Sequence, residues 1–114
     1  MSLPQVVDFS TESDADFVYD FNFGVDMTGS TLLLMARPYA AANYAPISLT
    51  SAGASPTITL TTAASGLGSF TIPLAQLSPL PAGDYVYSLI ELTAAGLRIA
   101  RQIGTITHAI GPTR

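Results

Sequence analysis

The chain has 114 residues, no cysteine and a formal net charge of −4 at pH 7. Its length indicates a single domain over residues 1–114, and the lack of cysteine excludes disulfide bonds and thiolate chemistry. The acidic balance argues against a phosphate-binding groove, so we expect no nucleic-acid partner. No apolar run approaches the ~20 residues that a membrane-spanning helix needs, so we expect no membrane partner either.

The charge inventory is small. Charged residues make up 11% of the chain, against about 25% in a typical globular domain. Lysine is missing, and the positive side-chain charge rests on Arg37, Arg98, Arg101 and Arg114. A surface made largely of Thr, Ser, Ala and Gly loses little hydration when it is covered and gives poor protection against association. Of two interpretations, an ordinary mildly acidic protein and a subunit that packs against others, we favour the second.

The N-terminal part contains the clearest strand signal. Residues 6–11 have thin apolar content and are interpreted either as a short strand or as part of a mobile arm over residues 1–13. Over residues 16–23, aromatic side chains occupy every second position. This alternation is typical of a half-buried strand, and its aromatic face supplies a large share of the core.

The next predicted strand, residues 31–37, is apolar on both faces and ends at Pro38. Such a run indicates either a central strand covered on both sides or a strand whose outer face meets a partner. The loop over residues 38–46 carries Tyr39 and Tyr44. Because tyrosine is enriched at interfaces, this pair forms either a contact patch or a cover for the end of the domain.

Three short strands are predicted in the middle of the chain, at residues 47–49, 58–60 and 70–72. In each, two apolar residues flank a Ser or Thr. The segments between them are rich in turn-forming residues, so the pattern predicts a meander of antiparallel hairpins.

A corner follows these strands. Residues 74–78 predict one helical turn, which Pro79 and Pro81 stop because the residue before a proline is disfavoured in the helical region. The chain then enters a strand headed by Tyr85 and Tyr87. Sandwich proteins use such a corner to pass from one sheet to the other.

This strand spans residues 84–92. Glu91 falls in phase with the tyrosines, which places a carboxylate on the apolar face. Which face points inward is therefore ambiguous at the far end of the strand, and a bulge near Ile90 would resolve the ambiguity.

The last strand pairs back over residues 97–103, and Arg101 interrupts its apolar face. Beyond Gly104 the apolar phase changes. A glycine at a phase change predicts a bulge or a crossover between sheets at that position.

Together these elements amount to seven or eight short strands with at most one helical turn. The pattern predicts an all-β fold, a two-sheet antiparallel β-sandwich. A small closed barrel is the alternative.

No catalytic or metal-binding constellation is apparent. His108 is the only histidine, and we interpret it as a surface or edge residue without a Ser–His–Asp or metal cluster. The pair Asp14 and Asp16 is a weak calcium signal, because no Asp-x-Asp-x-Asp-Gly loop is present. We therefore expect no enzyme activity, no cofactor and no metal. Six of the eight carboxylates lie before residue 27, and we interpret them as a solvated acidic face: Asp8, Glu12, Asp14, Asp16, Asp20 and Asp26.

Several turn and strand-start motifs recur in a recognisable order from residue 16 onward. They are Asp26-Met27-Thr28-Gly29-Ser30-Thr31, Arg37, Leu80, Gly83-Asp84-Tyr85-Val86-Tyr87, Gly96 and Gly104-Thr105-Ile106. This arrangement resembles a family of small phage and prophage virion proteins with an immunoglobulin-like sandwich, including N-terminal domains of baseplate and tail proteins. The resemblance implies an immunoglobulin-like fold and a structural role in a tail, neck or baseplate. It also implies that the protein binds other virion proteins or copies of itself, and that it resides in a virion assembled in the bacterial cytoplasm.

The distribution of charge along the chain suggests how copies would meet. Asp14 and Asp16 lie near one end of the sequence, and Arg98 and Arg101 lie near the other. Neighbouring copies joined head to tail, as in a ring, would bring these groups together. The alternative function is a ligand-binding or adhesion module, for example a carbohydrate-binding sandwich, which would need exposed aromatic residues or a calcium loop.

Overall fold

The computed structural model describes residues 4–54 and 56–112. These residues form nine strands, a one-turn α-helix and a 3-10 turn at Ala63–Ser65. The strands are β1 (Gln5–Val6), β2 (Phe9–Glu12), β3 (Phe17–Asn22), β4 (Thr31–Arg37), β5 (Ile47–Thr50), β6 (Ile58–Thr62), β7 (Leu67–Ile72), β8 (Gly83–Leu92) and β9 (Arg98–Ala109), and the helix is α1 (Leu74–Leu77).

The strands form two separate sheets. Six strands make the larger sheet, in the order β1-β9-β8-β4-β5 with β2 also paired to β9, and the smaller sheet has the order β3-β7-β6. The predicted two-sheet sandwich is therefore confirmed, with nine strands rather than seven or eight, and the closed barrel is wrong. Two pairings depart from the antiparallel expectation, because β1 and β2 both run parallel to β9.

The strand order is that of an immunoglobulin-like domain. One sheet of such a domain joins its third, sixth and seventh strands, and the other joins its second, fifth and fourth. Here β4, β8 and β9 take the first set of positions, and β3, β7 and β6 take the second. Strand β5 extends the larger sheet beside β4, as an additional strand does in the variable type.

The core lies between the two sheets, and alternation along each strand decides what enters it. In β3 the aromatic residues point inward and the residues between them are exposed, as predicted. Phe9 of β2 stacks on Phe17, with ring centroids 4.6 Å apart. The sequence left two alternatives for the N-terminal segment, a strand and a mobile arm. The segment forms strands at residues 5–6 and 9–12, and β2 contributes to the core.

The chain passes from the larger sheet to the smaller one between β5 and β6. Strand β5 pairs with β4 in the larger sheet, whereas β6 pairs with β7 in the smaller one. The predicted meander is therefore wrong for β5, although the β6–β7 hairpin is present. The three strands share one local pattern, and that pattern carries no information about which sheet each strand joins.

The corner before β8 forms as expected. The α1 turn buries Leu77, and Leu80 is buried just beyond it. The Tyr85 hydroxyl donates a hydrogen bond to the Pro81 carbonyl at 2.6 Å, which is the tyrosine corner of immunoglobulin-like folds. This corner carries the chain from β7 in one sheet to β8 in the other.

The bulge suggested near Ile90 is present, but its extra residue lies on the partner strand β9. Leu89 pairs with Gln102, and Ile90 pairs with Ala100, so Arg101 is the extra residue and the bulge belongs to β9. Strand β8 keeps its phase, and Glu91 remains on the inward face.

Gly104 has a different role from the one predicted. It pairs regularly with Tyr87, and Val7 crosses directly over it between β1 and β2. A Cβ atom at Gly104 would overlap the Val7 carbonyl oxygen. The glycine therefore permits this close backbone approach and does not mark a bulge.

Candidate interaction surface

The outer face of the six-stranded sheet is apolar and is not covered by the rest of the described chain. Cross-strand pairing places Leu33 beside Ile90 and Met35 beside Ser88 on this face. Met35 is 40% exposed and Val86 is 39% exposed. Strand β4 thus has one buried face and one open face, although its sequence is apolar on both.

These side chains form the floor of a shallow depression of about 320 Å³. Its lining includes Leu33, Met35, Val86, Ser88 and Ile90 from the sheet, Ala40 from the following loop, and the side chains of Arg37 and Arg98. We call this surface, residues 33, 35, 37, 86, 88, 90 and 98, the basic face.

The two arginines give the basic face its charge. Arg37 donates a hydrogen bond from Nη1 to the Ala42 carbonyl at 3.2 Å, which holds the loop after β4 against the sheet. Arg98 is exposed at the start of β9. Among the described residues neither arginine forms an ion pair with a carboxylate, since the ion pair found there joins Arg101 to Glu91.

Arg101 has an internal partner. Its Nε and Nη2 atoms both lie 2.7 Å from Oε1 of Glu91. The side chains of Arg101 and Glu91 are 12% and 2% exposed, and Ser30 donates a hydrogen bond to Oε2 at 2.5 Å. Arg101 is therefore committed to a contact within the sandwich and is not part of the proposed interface.

The two predicted acidic residues lie at the end of the sandwich near α1. Asp16 is exposed and accepts a hydrogen bond from the Leu74 backbone N–H at 2.6 Å, which ties the start of β3 to the start of α1. Asp14 is half-buried, and its carboxylate occupies the space where a side chain at position 111 would lie. The structure therefore does not bring Asp14 or Asp16 near Arg98 within one copy.

The two loop tyrosines are largely exposed, Tyr39 at 61% and Tyr44 at 57%. Burial, and to a smaller extent the proximity of Tyr44, raises the pKa of the Tyr85 hydroxyl. Tyr44 therefore lies toward the Tyr85 corner, while Tyr39 adjoins Ala40 at the rim of the depression.

His108 is buried, and its prediction as a surface or edge residue is wrong. It is 2% exposed. On one side of it β9 pairs with β2, and on the other side the β8 residue that pairs with His108 is Gly83. Its Nδ1 atom lies 2.8 Å from the Thr11 hydroxyl. Burial lowers the pKa of His108, and backbone carbonyls of Leu77 and Leu80 oppose that shift.

A second buried polar group links β8 to the N-terminal segment. The Tyr87 hydroxyl donates to the Val7 carbonyl at 2.6 Å and accepts from Nε2 of Gln102 at 2.8 Å. Burial is the main cause that raises the pKa of Tyr87 to about 12. The phenol is therefore neutral and structural at pH 7.

Two further features of the described residues bear on function. No group of three or more His, Asp or Glu side chains in that part of the chain is arranged to hold a metal ion. No helix within residues 4–54 and 56–112 has the length and apolar character to cross a membrane.

Comparison with known proteins identifies no family. No protein-family model matches the chain, and no curated protein matches it. Among solved structures, that of murine CRIg is similar with 13% sequence identity and a TM-score of 0.40, covering 95% of this chain and 93% of that one. The immunoglobulin-like assignment rests on the strand order and pairing described above.

The basic face itself was not predicted from the sequence. The available signal in the sequence was the run over residues 31–37, which is apolar on both faces, together with the apolar residues Val86 and Ile90 on the outward phase of β8. Alternation predicts only which side chains of one strand point to the same face of the sheet. Only the pairing of β4 with β8 makes the side chains of the two strands neighbours.

Proposed function

We propose that this chain is a non-enzymatic structural subunit of a phage or prophage particle, located in the tail, neck or baseplate, and that it acts through protein–protein contacts. The observation that carries the contact role is the basic face, an apolar surface with two arginines on a chain without lysine. The particle context comes from the resemblance of the turn and strand-start motifs.

A connected apolar patch on a soluble domain marks an interaction site. The patch here is not a general property of the surface. On the outer face of the three-stranded sheet, Val18 is surrounded by polar side chains: Asp20, Asn22, Ser69 and Thr71. On that face Val18 and Leu67 are separated by polar side chains, whereas the apolar side chains of the basic face are contiguous.

The test is incorporation into particles released by the host bacterium. Val86→Arg places a charge on the floor of the basic face and is expected to reduce the chain's content in purified particles at least tenfold. Val6→Arg is the matched control, because Val6 is also an exposed valine, 72% exposed against 39% for Val86, but lies on β1 outside the basic face. Both variants should retain the thermal stability of the parent.

Two results would oppose the proposal. If the parent chain is absent from purified particles, the virion role is wrong. If Val86→Arg enters particles as fully as Val6→Arg does, the basic face is not the contact surface.

A second candidate function, carbohydrate binding, has one observation in its favour. Tyr39 and Tyr44 are the exposed aromatic residues of a single loop beside the depression, and exposed aromatic rings are what sugar-binding sandwiches need. The aromatic residues of β3 face the core and offer no such platform. Glycan binding that is lost in Tyr39→Ala and Tyr44→Ala, and kept in Val86→Arg, would favour this function over the first.

A further inference from the structure

The outer face of the three-stranded sheet presents an acidic stripe. Alternation in β3 directs Val18 and Asp20 outward, and Asp16 precedes them in the same phase. Val18 is 60% exposed, and both aspartates are exposed. The described residues of β3, β6 and β7 include no lysine or arginine. We call residues 16, 18 and 20 the acidic face.

The basic face on the opposite side has the complementary arrangement. Arg37 pairs with Val86 across β4 and β8, and Arg98 pairs with Leu92 across β9 and β8. The two arginines therefore lie at diagonal corners, about 20 Å apart along the strands and about 10 Å apart across them. Between them lies the apolar floor of the depression.

The two patterns complement each other in charge and in the apolar surface that lies between the charges. Asp16 and Asp20 are four residues apart, which is about 13 Å along an extended chain. Val18 projects between them. If the acidic face of another molecule lies across the depression, its Val18 contacts the apolar floor. Each of its two aspartates then faces one arginine. The two arginines lie farther apart than the two aspartates, and the long arginine side chains reach inward over the difference in distance.

Strand addition is a less available route to association at the β5 edge. The side-chain amide of Gln76 accepts from the Ser48 N–H at 3.0 Å and donates to the Ser48 carbonyl at 3.1 Å. Thr57 likewise bonds the Thr50 N–H through its hydroxyl and the Thr50 carbonyl through its backbone. These contacts occupy the outward backbone groups of β5, so this edge is protected against a further strand.

From the complementarity of the two faces, we infer that the occupant of the basic face is the acidic face of a second copy of this chain. This inference rests on the proposed function and specifies its partner. Because the two faces are different and lie on opposite sides of the sandwich, the contact is heterologous. Repetition then generates a ring if the rotation closes and a filament if it does not.

The test uses two variants, each of which blocks one face with positive charge. Val86→Arg blocks the basic face, and Asp20→Arg blocks the acidic face. Alone, each variant should remain a monomer in size-exclusion chromatography with light scattering, while the parent chain forms larger species. An equimolar mixture retains one intact junction and should give a particle with twice the 11.9 kDa mass of the monomer.

Circular dichroism and thermal melting check that both variants are folded. If Val86→Arg is unstable, Met35→Arg replaces it, because Met35 lies on the same face and is 40% exposed. Raising the salt concentration should weaken the mixed dimer, since the Debye length falls from about 10 Å at 0.1 M to about 3 Å at 1 M.

Three results would overturn the inference. They are a parent chain that is monomeric at several hundred micromolar, an Asp20→Arg variant that associates as the parent does, and a mixture that contains only monomers. In any of these cases, loss of Val86→Arg from purified particles would still support the proposed function, with a different protein bound to the basic face.

Discussion

The ion pair between Arg101 and Glu91 provides the sharpest test of how the larger sheet is stabilised. Arg101 is the bulged residue of β9, and it reaches Glu91 on the inward face of β8. We consider three variants: Arg101→Met, Glu91→Leu and the double variant. Methionine and leucine keep most of the volume of the side chains that they replace, so the variants mainly remove charge.

The expected magnitudes follow from burial. The Glu91 side chain is 2% exposed, so Arg101→Met leaves a buried carboxylate supported only by the Ser30 hydroxyl. Breaking a buried pair by removing one partner costs about 3–5 kcal/mol. Replacing both charges with apolar groups removes the desolvation penalty together with the attraction. The double variant should therefore lie within about 1 kcal/mol of the parent or be more stable.

Urea denaturation followed by circular dichroism measures the free energy of unfolding of the four proteins. The double-mutant cycle should give a coupling energy of roughly 2 kcal/mol or more. If Arg101→Met costs less than about 0.5 kcal/mol, as exposed ion pairs commonly do, the pair is solvated and the burial argument is wrong. A double variant as unstable as the sum of the single variants would also contradict it.

Three further predictions concern other features of the sandwich. Gln76→Ala uncovers the edge of β5 and should increase light scattering on mild heating, whereas scattering equal to that of the parent would mean that the edge is protected in another way. Gly104→Ala inserts a methyl group against the Val7 carbonyl and should lower the free energy of unfolding by about 1–3 kcal/mol; a change below the error of denaturant titration would contradict this close approach. Tyr87 should ionise late in an absorbance titration, at about 12 against its ordinary 10.0. Because its pKa is raised in the folded state, the stability that it contributes is present below pH 10 and is lost between pH 10 and 12. Tyr87→Phe should remove that last ionisation step, and a single step near 10 for all tyrosines would contradict the prediction.

Local patterns predicted the strands well where one face is clearly apolar. The aromatic alternation of β3 predicted both the strand and its inward residues, and the proline-flanked segment before Tyr85 predicted the single turn of α1 and the corner. These features depend on residues within one strand or turn of each other. They hold whatever the strand packs against.

The candidate surfaces could be predicted only in part. Arg98 lies on the basic face and Asp16 on the acidic face, but Arg101 is committed to Glu91. The phase of β8 did place Glu91 inward. Its partner became visible only with the register of β9, because the bulge adds one residue and turns Arg101 toward the core.

The sequence by itself thus determined the all-β class, most strands and the direction of their side chains, because side-chain direction alternates with a period of two in any strand. The tertiary structure alone decided which strands are neighbours. It placed β5 in the larger sheet, paired β1 and β2 parallel to β9, and buried His108 beside β2. It also assembled the basic face from β4, β8 and β9, since strand pairing joins residues far apart in the chain that no local pattern connects.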